Sequence, residues 1–254
     1  MTLRSHTGLA SRFLATPRDI VVYLPPGYGK EERKYPVLYL NDGQNLFTGE
    51  TSFIRGRYWR AGEAADALTA AGAVEPLILV GIYNAGDARV NEYTPVKDRK
   101  GRGGQARLYG KMLVEELKPF IDAEYRTERG PDNTGIGGSS LGALAALYLG
   151  QRYPRVFGKI AAMSPSVWWS RRAILRRVLA LKGKLPLKIW LDTGGLEGPR
   201  AAEDARDLRD AFIAKGWRLD QDLAWMEDPA GTHDEDAWAK RIQPMLRFLY
   251  PPKS

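Results

Sequence analysis

The chain has 254 residues, a net charge of +8 at pH 7, 44% hydrophobic residues and no cysteine. The absence of cysteine excludes disulfides, thiolate metal sites and a cysteine nucleophile. No apolar run approaches the roughly 18 residues that a membrane span requires, and the composition is that of an ordinary globular protein. We therefore expect a single α/β domain over residues 1–254, without a membrane span.

The N-terminal segment, residues 1–17, contains scattered arginine but no apolar core of the kind that signal peptides carry. We therefore predict a cytoplasmic protein in which this segment is flexible or peripheral. Positive charge is spread along the whole chain and no nucleic-acid-binding motif accompanies it, which predicts a solvated basic surface without specific nucleic-acid binding. The densest basic stretch, Arg171–Lys184, alternates with apolar residues and predicts an amphipathic helix with one basic face, the alternative being a lid.

Short apolar runs, taken in chain order, predict seven strands. They are Ile20–Leu24, Val37–Leu40, Leu77–Ile82, Thr134–Gly137, Ile160–Met163, Leu187–Leu191 and, with a less regular pattern, Gln221–Met226. Helical periodicity between them predicts four helices. These are Leu108–Tyr125, Leu141–Arg152, Ala201–Lys215 and Glu235–Leu249. The alternation predicts a mostly parallel central sheet with helices on both faces.

The sharpest local signal is a Gly-x-Ser-x-Gly pattern centred on Ser140, with Gly138 and Gly142 on either side. The pattern is typical of a sharp turn that exposes a nucleophilic serine, where larger side chains at the glycine positions would collide with the adjoining strand and helix. It follows a predicted strand and opens a predicted buried helix, which is the context that the turn requires. Ser139 does not fit, because leucine stands at position 141.

A serine hydroxyl is a weak nucleophile and needs an adjacent base. The chain has two histidines, of which His6 lies in the polar N-terminal segment. His233 lies after the last predicted strand and before the final helix, where the chain order Ser, acid, His requires the base. The sequence therefore predicts His233 as the general base.

The third group, an acid that orients the imidazole, is expected in the loop after Leu187–Leu191. Two residues qualify, Asp192 directly after the strand and Glu197 further along the loop. Glu197 is the first choice because its position lets the loop carry it toward His233, and Asp192 is the second.

An oxyanion site needs two backbone N–H donors. Leu141, the residue after the predicted nucleophile, supplies one. The other is expected in the loop that follows Val37–Leu40, with the Gln44 amide as first choice and Gly43 as the alternative; a plain turn is the competing interpretation.

Several longer segments carry a family resemblance. They are VYLPPGY, YPVLYLNDGQNLF, ILVGIYNAGDARVNEYTP, ELKPFIDAEYRT, GGSSLGALAALYLGQRYPRVFGKIAAMSPSVWW, LDTGGLEG and GTHDEDAWAKR. They resemble an esterase family of α/β-hydrolases that includes enterochelin esterases, feruloyl esterases, S-formylglutathione hydrolases and mycolyltransferases. The resemblance is greatest to the short, enterochelin-esterase-like branch of this family. The resemblance implies the α/β-hydrolase fold, a triad of Ser140, Glu197 and His233, and no cofactor. Ala143, where many members carry glycine, is a departure that affects helix packing.

Further residues are candidates for the substrate pocket. Trp168 and Trp169 follow a predicted strand and either line the pocket or belong to the core. Asn45 and Arg89 are also candidates, although Arg89 is expected to pair with Glu92.

The functional prediction is a serine esterase that hydrolyses carboxylic esters, of siderophore or aryl type, through an acyl-enzyme. The expected partner is a small-molecule ester, without a metal site, and a homo-oligomer is left open. An acyltransferase acting at the same site is the alternative, and a binding module without catalysis is a second one.

Overall fold

An eight-stranded, mostly parallel sheet forms the centre of the computed structural model, which describes residues 1–30 and 32–253. The strands are β1 (Thr2–Leu9), β2 (Arg18–Leu24), β3 (Val37–Asn41), β4 (Ile78–Ile82), β5 (Thr134–Ser139), β6 (Lys159–Met163), β7 (Lys188–Gly194) and β8 (Leu223–Asp228). Their order is β1-β2-β4-β3-β5-β6-β7-β8. Neighbouring strands are parallel from β4 to β8 in this order, whereas the β1–β2 and β2–β4 pairs are antiparallel. All seven predicted strands are present, and the predicted α/β sheet is confirmed.

The helices cover both faces of the sheet. They are α1 (Ala61–Ala70), α2 (Arg89–Tyr93), α3 (Ala106–Met112), α4 (Lys118–Glu124), α5 (Leu141–Arg152), α6 (Trp169–Leu179), α7 (Pro199–Ala214) and α8 (Glu235–Leu249). Helices α5 and α8 have the predicted bounds. Buried apolar residues form two clusters, one on each face of the sheet. This explains why β3 and β4 are buried along their whole length, since parallel strands covered on both faces read as continuous apolar runs.

The predicted helix Leu108–Tyr125 is helical but not uniform. A π-helical turn, Leu113–Leu117, separates α3 from α4. Pro119 lies in the first turn of α4 and has no backbone N–H to give to the ordinary helical ladder. Periodicity alone could not show this change of hydrogen bonding.

Three elements were not predicted, namely β1, α1 and α2. Strand β1 belongs to the segment 1–17 and lies at the edge of the sheet, where it pairs with β2. Its residues are exposed or partly exposed, so they lack the apolar alternation that signals a strand. Backbone pairing with β2, and not side-chain burial, therefore accounts for its conformation.

The basic segment forms α6 and the turn after it. Arg172 makes ion pairs with Asp204, at 2.9 Å, and Asp207 on α7, so this part of the segment packs against the neighbouring helix. The remaining arginines are partly or fully exposed, as expected of a basic helix face. No helix in residues 1–30 or 32–253 is long and apolar enough to cross a membrane.

Candidate active site

Ser140 occupies a strained turn between β5 and α5. Its backbone angles are φ 55° and ψ −121°, a conformation that is rare for a residue with a side chain. Gly138 makes the turn possible, because a Cβ atom there would lie 2.8 Å from the carbonyl carbon of Gly142 and 3.0 Å from Cβ of Asn41. The Ser140 hydroxyl lies 3.2 Å from the hydroxyl of Ser166.

His233 lies in the loop between β8 and α8, and Glu197 lies in the loop after β7. Nδ1 of His233 is 2.8 Å from Oε2 of Glu197. The imidazole is 43% exposed, whereas the carboxylate is only 2% exposed. Its ring also packs edge-on against Trp238, with centroids 5.1 Å apart. These contacts fix the plane of the imidazole. Nε2 is the ring nitrogen that Glu197 does not contact.

The Glu197 carboxylate is held on its second oxygen as well. Oε1 accepts hydrogen bonds from the Ser164 hydroxyl at 2.5 Å and from the Gly194 backbone N–H at 2.8 Å. Burial acts to raise the pKa of Glu197, but the hydrogen bonds from His233 and Ser164 outweigh it and hold the pKa below its usual range. Glu197 is therefore an ionised acceptor at neutral pH.

Asp192, the second choice for the acid, is fully buried and has other partners. Oδ1 accepts from Arg241 Nη1 at 2.6 Å and from the Ser164 backbone N–H at 3.1 Å, and Oδ2 accepts from Trp190 Nε1 at 2.7 Å. Burial raises the pKa of Asp192 to about 6, although Arg241 opposes the shift. Between the two candidates, Glu197 is the one in contact with His233.

The backbone groups nominated for the oxyanion site lie at the starts of two helical turns. Leu141 is the first residue of α5, and Gln44 lies in a short 3-10 turn, Gly43–Asn45, that follows β3. N–H groups in a first helical turn have no partner within the helix, which makes them available to an anion. Gly43 packs its Cα against the backbone of Gly81, where a Cβ atom would come within 2.4 Å of the carbonyl carbon.

Ser140 and His233 line one cavity of about 620 Å³. Asn45 and Arg89 line it too, as does Gln44, so the structure brings these predicted residues together. Its lining residues are Asp42, Gln44, Asn45, Thr51, Phe53, Ile54, Asn84, Gly86, Asp87, Arg89, Ser139, Ser140, His233, Glu235 and Trp238. Within residues 1–30 and 32–253, no group of three or more His, Asp or Glu side chains is arranged to hold a metal ion.

Trp168 and Trp169 are not among the residues that line this cavity. Trp168 is 56% exposed, and Trp169 is buried, with its indole N–H donating to the Val96 carbonyl at 2.8 Å. Of the two roles considered for Trp169, the structure therefore places it in the core.

The expected pairing of Arg89 with Glu92 is wrong. Arg89 instead binds both carboxylate oxygens of Asp42, with Nε–Oδ1 2.7 Å and Nη2–Oδ2 2.8 Å. Glu92 is buried and binds Arg18 on β2 at 2.5 Å. The two side chains are three residues apart on the short helix α2, and they bind different partners, Asp42 and Arg18.

One rim of the cavity is apolar. Phe53 is 84% exposed and Ile54 is 41% exposed, although both are large hydrophobic residues. They belong to a loop that is closed at its neck by a hydrogen bond from the Gly56 N–H to the Gly49 carbonyl. The Asn45 side chain accepts from the Phe53 N–H at 2.8 Å and ties the loop to the cavity floor.

Sequence reasoning missed the residues that support Glu197. Arg241 and Trp238, both on α8, hydrogen-bond the Ser164 hydroxyl at 3.2 Å and 3.0 Å, and Ser164 in turn donates to Glu197. Ser164 also has a left-handed backbone, with φ 46°. No local pattern could have identified this network, because its members lie on three loops or helices that are far apart in the chain.

The parallel sheet, the strand–turn–helix that carries Ser140 and the later His233–Glu197 pair together define an α/β-hydrolase. Among solved structures, the IroE-like serine hydrolase from Shewanella oneidensis has the same fold. Its TM-score is 0.80 at 21% identity, and the match covers 98% of this chain and 80% of that one. A family model described as "Esterase: Putative esterase" matches residues 11–249. The chain belongs to this esterase family.

Two relatives have names that state an esterase activity. The endo-1,4-beta-xylanase/feruloyl esterase of Xylanibacter ruminicola is 34% identical over 90% of this chain and 29% of the relative. The ferri-bacillibactin esterase BesA of Bacillus subtilis is 30% identical over 68% of this chain and 65% of the relative. The chain thus spans less than two thirds of the length of either relative. The resemblance found in the sequence is confirmed, and ester hydrolysis is the activity that the family supports.

Proposed function

We propose that the protein is a serine esterase that cleaves carboxylic esters through an acyl-enzyme, with Ser140 as nucleophile, His233 as general base and Glu197 as the orienting acid. The observation that carries the proposal is the 2.8 Å contact between His233 Nδ1 and Glu197. His233 and Ser140 line the same cavity. A nucleophile, a base and an ionised orienting carboxylate are the three groups that acyl transfer at serine needs.

The proposed reaction has two halves. The Ser140 oxygen attacks the ester carbonyl while Nε2 of His233 takes its proton, and the N–H groups of Leu141 and Gln44 stabilise the negative oxygen. His233 then protonates the departing alcohol. In the second half, His233 activates a water molecule that cleaves the acyl-enzyme and restores Ser140.

Glu197 serves this cycle through its charge. An ionised carboxylate at Nδ1 keeps the proton on that nitrogen, so that Nε2 is the basic one, and stabilises the imidazolium that forms during attack. The contact between Ser140 and Ser166 belongs to the resting arrangement, and we propose that the Ser140 hydroxyl rotates toward His233 when substrate binds.

The substrate class is proposed from the relatives and the cavity. BesA is named for a ferri-bacillibactin and the Xylanibacter protein for a feruloyl ester. The cavity of about 620 Å³ has an apolar rim at Phe53 and Ile54 and is large enough to accept the acyl or aryl group of such an ester. We propose siderophore-type or aryl esters as the substrates.

The test is hydrolysis of p-nitrophenyl, feruloyl and trilactone esters by the wild type and by Ser140→Ala. The variant should fold normally and lose on the order of 10⁴-fold or more in kcat, because removal of a triad member disables the whole unit. Ser139→Ala is the matched control and should retain hydrolysis within about tenfold, since the pattern makes Ser140 the nucleophile.

Labelling by a serine-directed phosphonate provides the second measurement. The wild type should be labelled once, at Ser140, and His233→Ala should slow the labelling sharply, because the hydroxyl then lacks its base. Near-normal hydrolysis by folded Ser140→Ala, or labelling that is as fast without His233, would overturn the proposal. Adding an acceptor alcohol and analysing the products separates hydrolysis from acyl transfer.

A further inference from the structure

Glu235 is a buried carboxylate in the catalytic cavity for which the proposed reaction has no use. It is the first residue of α8, is only 5% exposed and lines the cavity together with Ser140 and His233. Burying a carboxylate costs free energy unless strong donors or a cation compensate for it. The partners that the protein provides for Glu235 therefore decide whether it has a structural role.

Those partners are weak. Oε1 of Glu235 accepts from the Asn45 side-chain amide at 3.3 Å, beyond the usual range for a good hydrogen bond. Arg89 is the one arginine or lysine that lines the cavity in the described part of the chain, and Asp42 already binds it through both oxygens. Burial raises the pKa of Glu235. A hydrogen bond from the residue's own backbone N–H opposes this shift, and the nearby carboxylates Asp234 and Asp42 add to it.

Stabilisation of the helix start does not explain the burial. A carboxylate in the first turn of a helix interacts favourably with the helix dipole. Asp234 already caps α8 by accepting from the Ala237 N–H at 3.0 Å, and Asp236 adds a first-turn charge while 59% exposed. A third carboxylate turned into the catalytic cavity adds a desolvation cost that the helix does not require.

We propose that Glu235 is a substrate-recognition residue whose carboxylate accepts a hydrogen bond from a hydroxyl group carried by the bound ester. The inference rests on the proposed function, because it assigns a subsite of the same cavity. The chemistry fits a neutral hydroxyl. Such a group can accept from the Asn45 amide and donate to Glu235, and so replaces their long mutual contact with two good hydrogen bonds.

This subsite adds a selection rule to the cavity. Phe53 and Ile54 offer an apolar rim that favours hydrophobic esters without regard to their polar substituents. Glu235 and Asn45 distinguish esters by a hydroxyl, because an ester without one leaves the buried carboxylate unpaired. The enzyme should therefore prefer the hydroxylated member of any pair of esters whose hydroxyl reaches this part of the cavity.

The experiment compares matched esters that differ only in a hydroxyl. Suitable pairs are p-nitrophenyl butyrate with its 2-hydroxy and 3-hydroxy analogues, and methyl cinnamate with methyl 4-hydroxycinnamate and methyl 3,4-dihydroxycinnamate. In at least one pair the wild type should prefer the hydroxylated ester by about 10-fold to 100-fold in kcat/KM, the range for a hydrogen bond to a charged group. Glu235→Leu should reduce that ratio to about 1. It should lower kcat/KM for the hydroxylated ester, which loses its acceptor, and raise kcat/KM for the unsubstituted ester, which no longer leaves a buried carboxylate unpaired.

Two further variants keep the result interpretable. Glu235→Gln retains an acceptor oxygen and should keep a preference of about 3-fold to 10-fold, because a hydrogen bond to a neutral acceptor has roughly half the free energy of one to a charged acceptor. This variant also covers the case in which the leucine variant does not fold. Asp236→Asn removes an exposed carboxylate from the same helical turn and should leave the ratio unchanged. Thermal unfolding of each variant checks the fold.

The outcomes separate this inference from the function on which it rests. If hydrolysis requires Ser140 but no pair shows a preference that depends on Glu235, the inference is overturned and the serine esterase stands. A preference lost equally in the glutamine and asparagine variants would also overturn it, since general charge would then be responsible. If hydrolysis of both members is independent of Ser140, it is the proposed function that fails.

Discussion

At the scale of single residues, two carboxylates that are close in the chain, one on β7 and one in the loop after it, have different environments. Asp192 and Glu197 are five positions apart, and both are nearly inaccessible to solvent. Asp192 is held by Arg241, Trp190 and a backbone N–H, whereas Glu197 extends one oxygen to His233. The first set of contacts is that of a buried ion pair that supports the structure, and the second is that of a group that orients a base.

We predict that neutralising Glu197 mainly lowers kcat, whereas neutralising Asp192 mainly lowers the free energy of unfolding. Glu197→Gln should lower kcat by roughly 10²-fold to 10⁴-fold with a modest effect on folding, because His233 loses the group that sets its tautomer. Asp192→Asn should lower the free energy of unfolding by at most about 3–5 kcal/mol, because the buried Arg241 loses its 2.6 Å partner and keeps only the longer 3.5 Å contact with Glu197. The measurements are kcat, normalised to the sites that a serine-directed phosphonate titrates, and urea denaturation.

Normalising to titrated sites keeps the two effects apart, since an unfolded fraction does not then count as lost catalysis. The reverse pattern, with Asp192→Asn catalytically impaired per titrated site and Glu197→Gln normal, would move the orienting role to Asp192.

At the scale of elements, the strand–turn–helix around Ser140 depends on close backbone packing. Helix α5 begins directly after a residue with positive φ, and its first turn passes close to Gly138 at the end of β5. The carbonyl of Gly142 also accepts from the Asn41 side chain at 2.8 Å, which joins the helix to β3. The position of the nucleophile is therefore determined by contacts among two strands and a helix.

Gly138→Ala should damage both stability and activity. The added Cβ would lie 2.8 Å from a backbone carbon of Gly142, and neither backbone can move without shifting the Ser140 turn. We expect a loss of about 1–3 kcal/mol in the free energy of unfolding, measured by urea denaturation, and a clear fall in kcat.

Gly183→Ala is the matched control. A Cβ atom at Gly183 would meet nothing within 4 Å, so stability and kcat should stay near the wild-type values. Equal behaviour of the two variants would contradict the packing argument.

At the scale of the whole molecule, a buried ion pair links the antiparallel part of the sheet to the active-site loops. Arg18 begins β2 and Glu92 lies on α2, 74 positions later, and both side chains are almost fully buried. Helix α2 also carries Arg89, which binds Asp42, and Tyr93, whose hydroxyl accepts from the Asp42 N–H at 3.1 Å. The pair thus anchors the element that holds one wall of the cavity.

Breaking this pair should cost more than replacing it. Glu92→Gln should lower the free energy of unfolding by about 3–5 kcal/mol, because Arg18 stays buried without its counterion. The double variant Arg18→Met, Glu92→Leu should recover much of that loss, since apolar groups of similar volume need no counterion. Urea denaturation measures both.

Glu115→Gln, in the exposed pair with Lys111, serves as the control and should leave the midpoint nearly unchanged. If the double variant is as unstable as the single one, packing around the pair and not its charge is what matters.

The amino-acid sequence by itself determined the architecture and the location of the nucleophile. Strand and helix positions follow from apolar periodicity, and the turn at Ser140 follows from glycine spacing; both are local properties that neighbouring residues specify. The family membership followed in the same way from segments along nearly the whole chain. The roles of Ser140, His233 and Glu197 remain predictions that the variants above test.

Only the tertiary structure decided which polar groups meet. The sequence favoured Glu197 over Asp192 without excluding either, and only the structure shows which of the two contacts His233. Helix α2 alone suggests an Arg89–Glu92 pair that does not form. The strand order β4-β3-β5 brings Asp42 and Arg89 to the same edge of the sheet as Ser140, although they come from loops far apart in the chain. A buried charge is stable only where a partner offsets the free-energy cost of removing it from water, so burial decides which partner a charged side chain takes. Burial depends on the assembled sheet, and no local sequence pattern contains it.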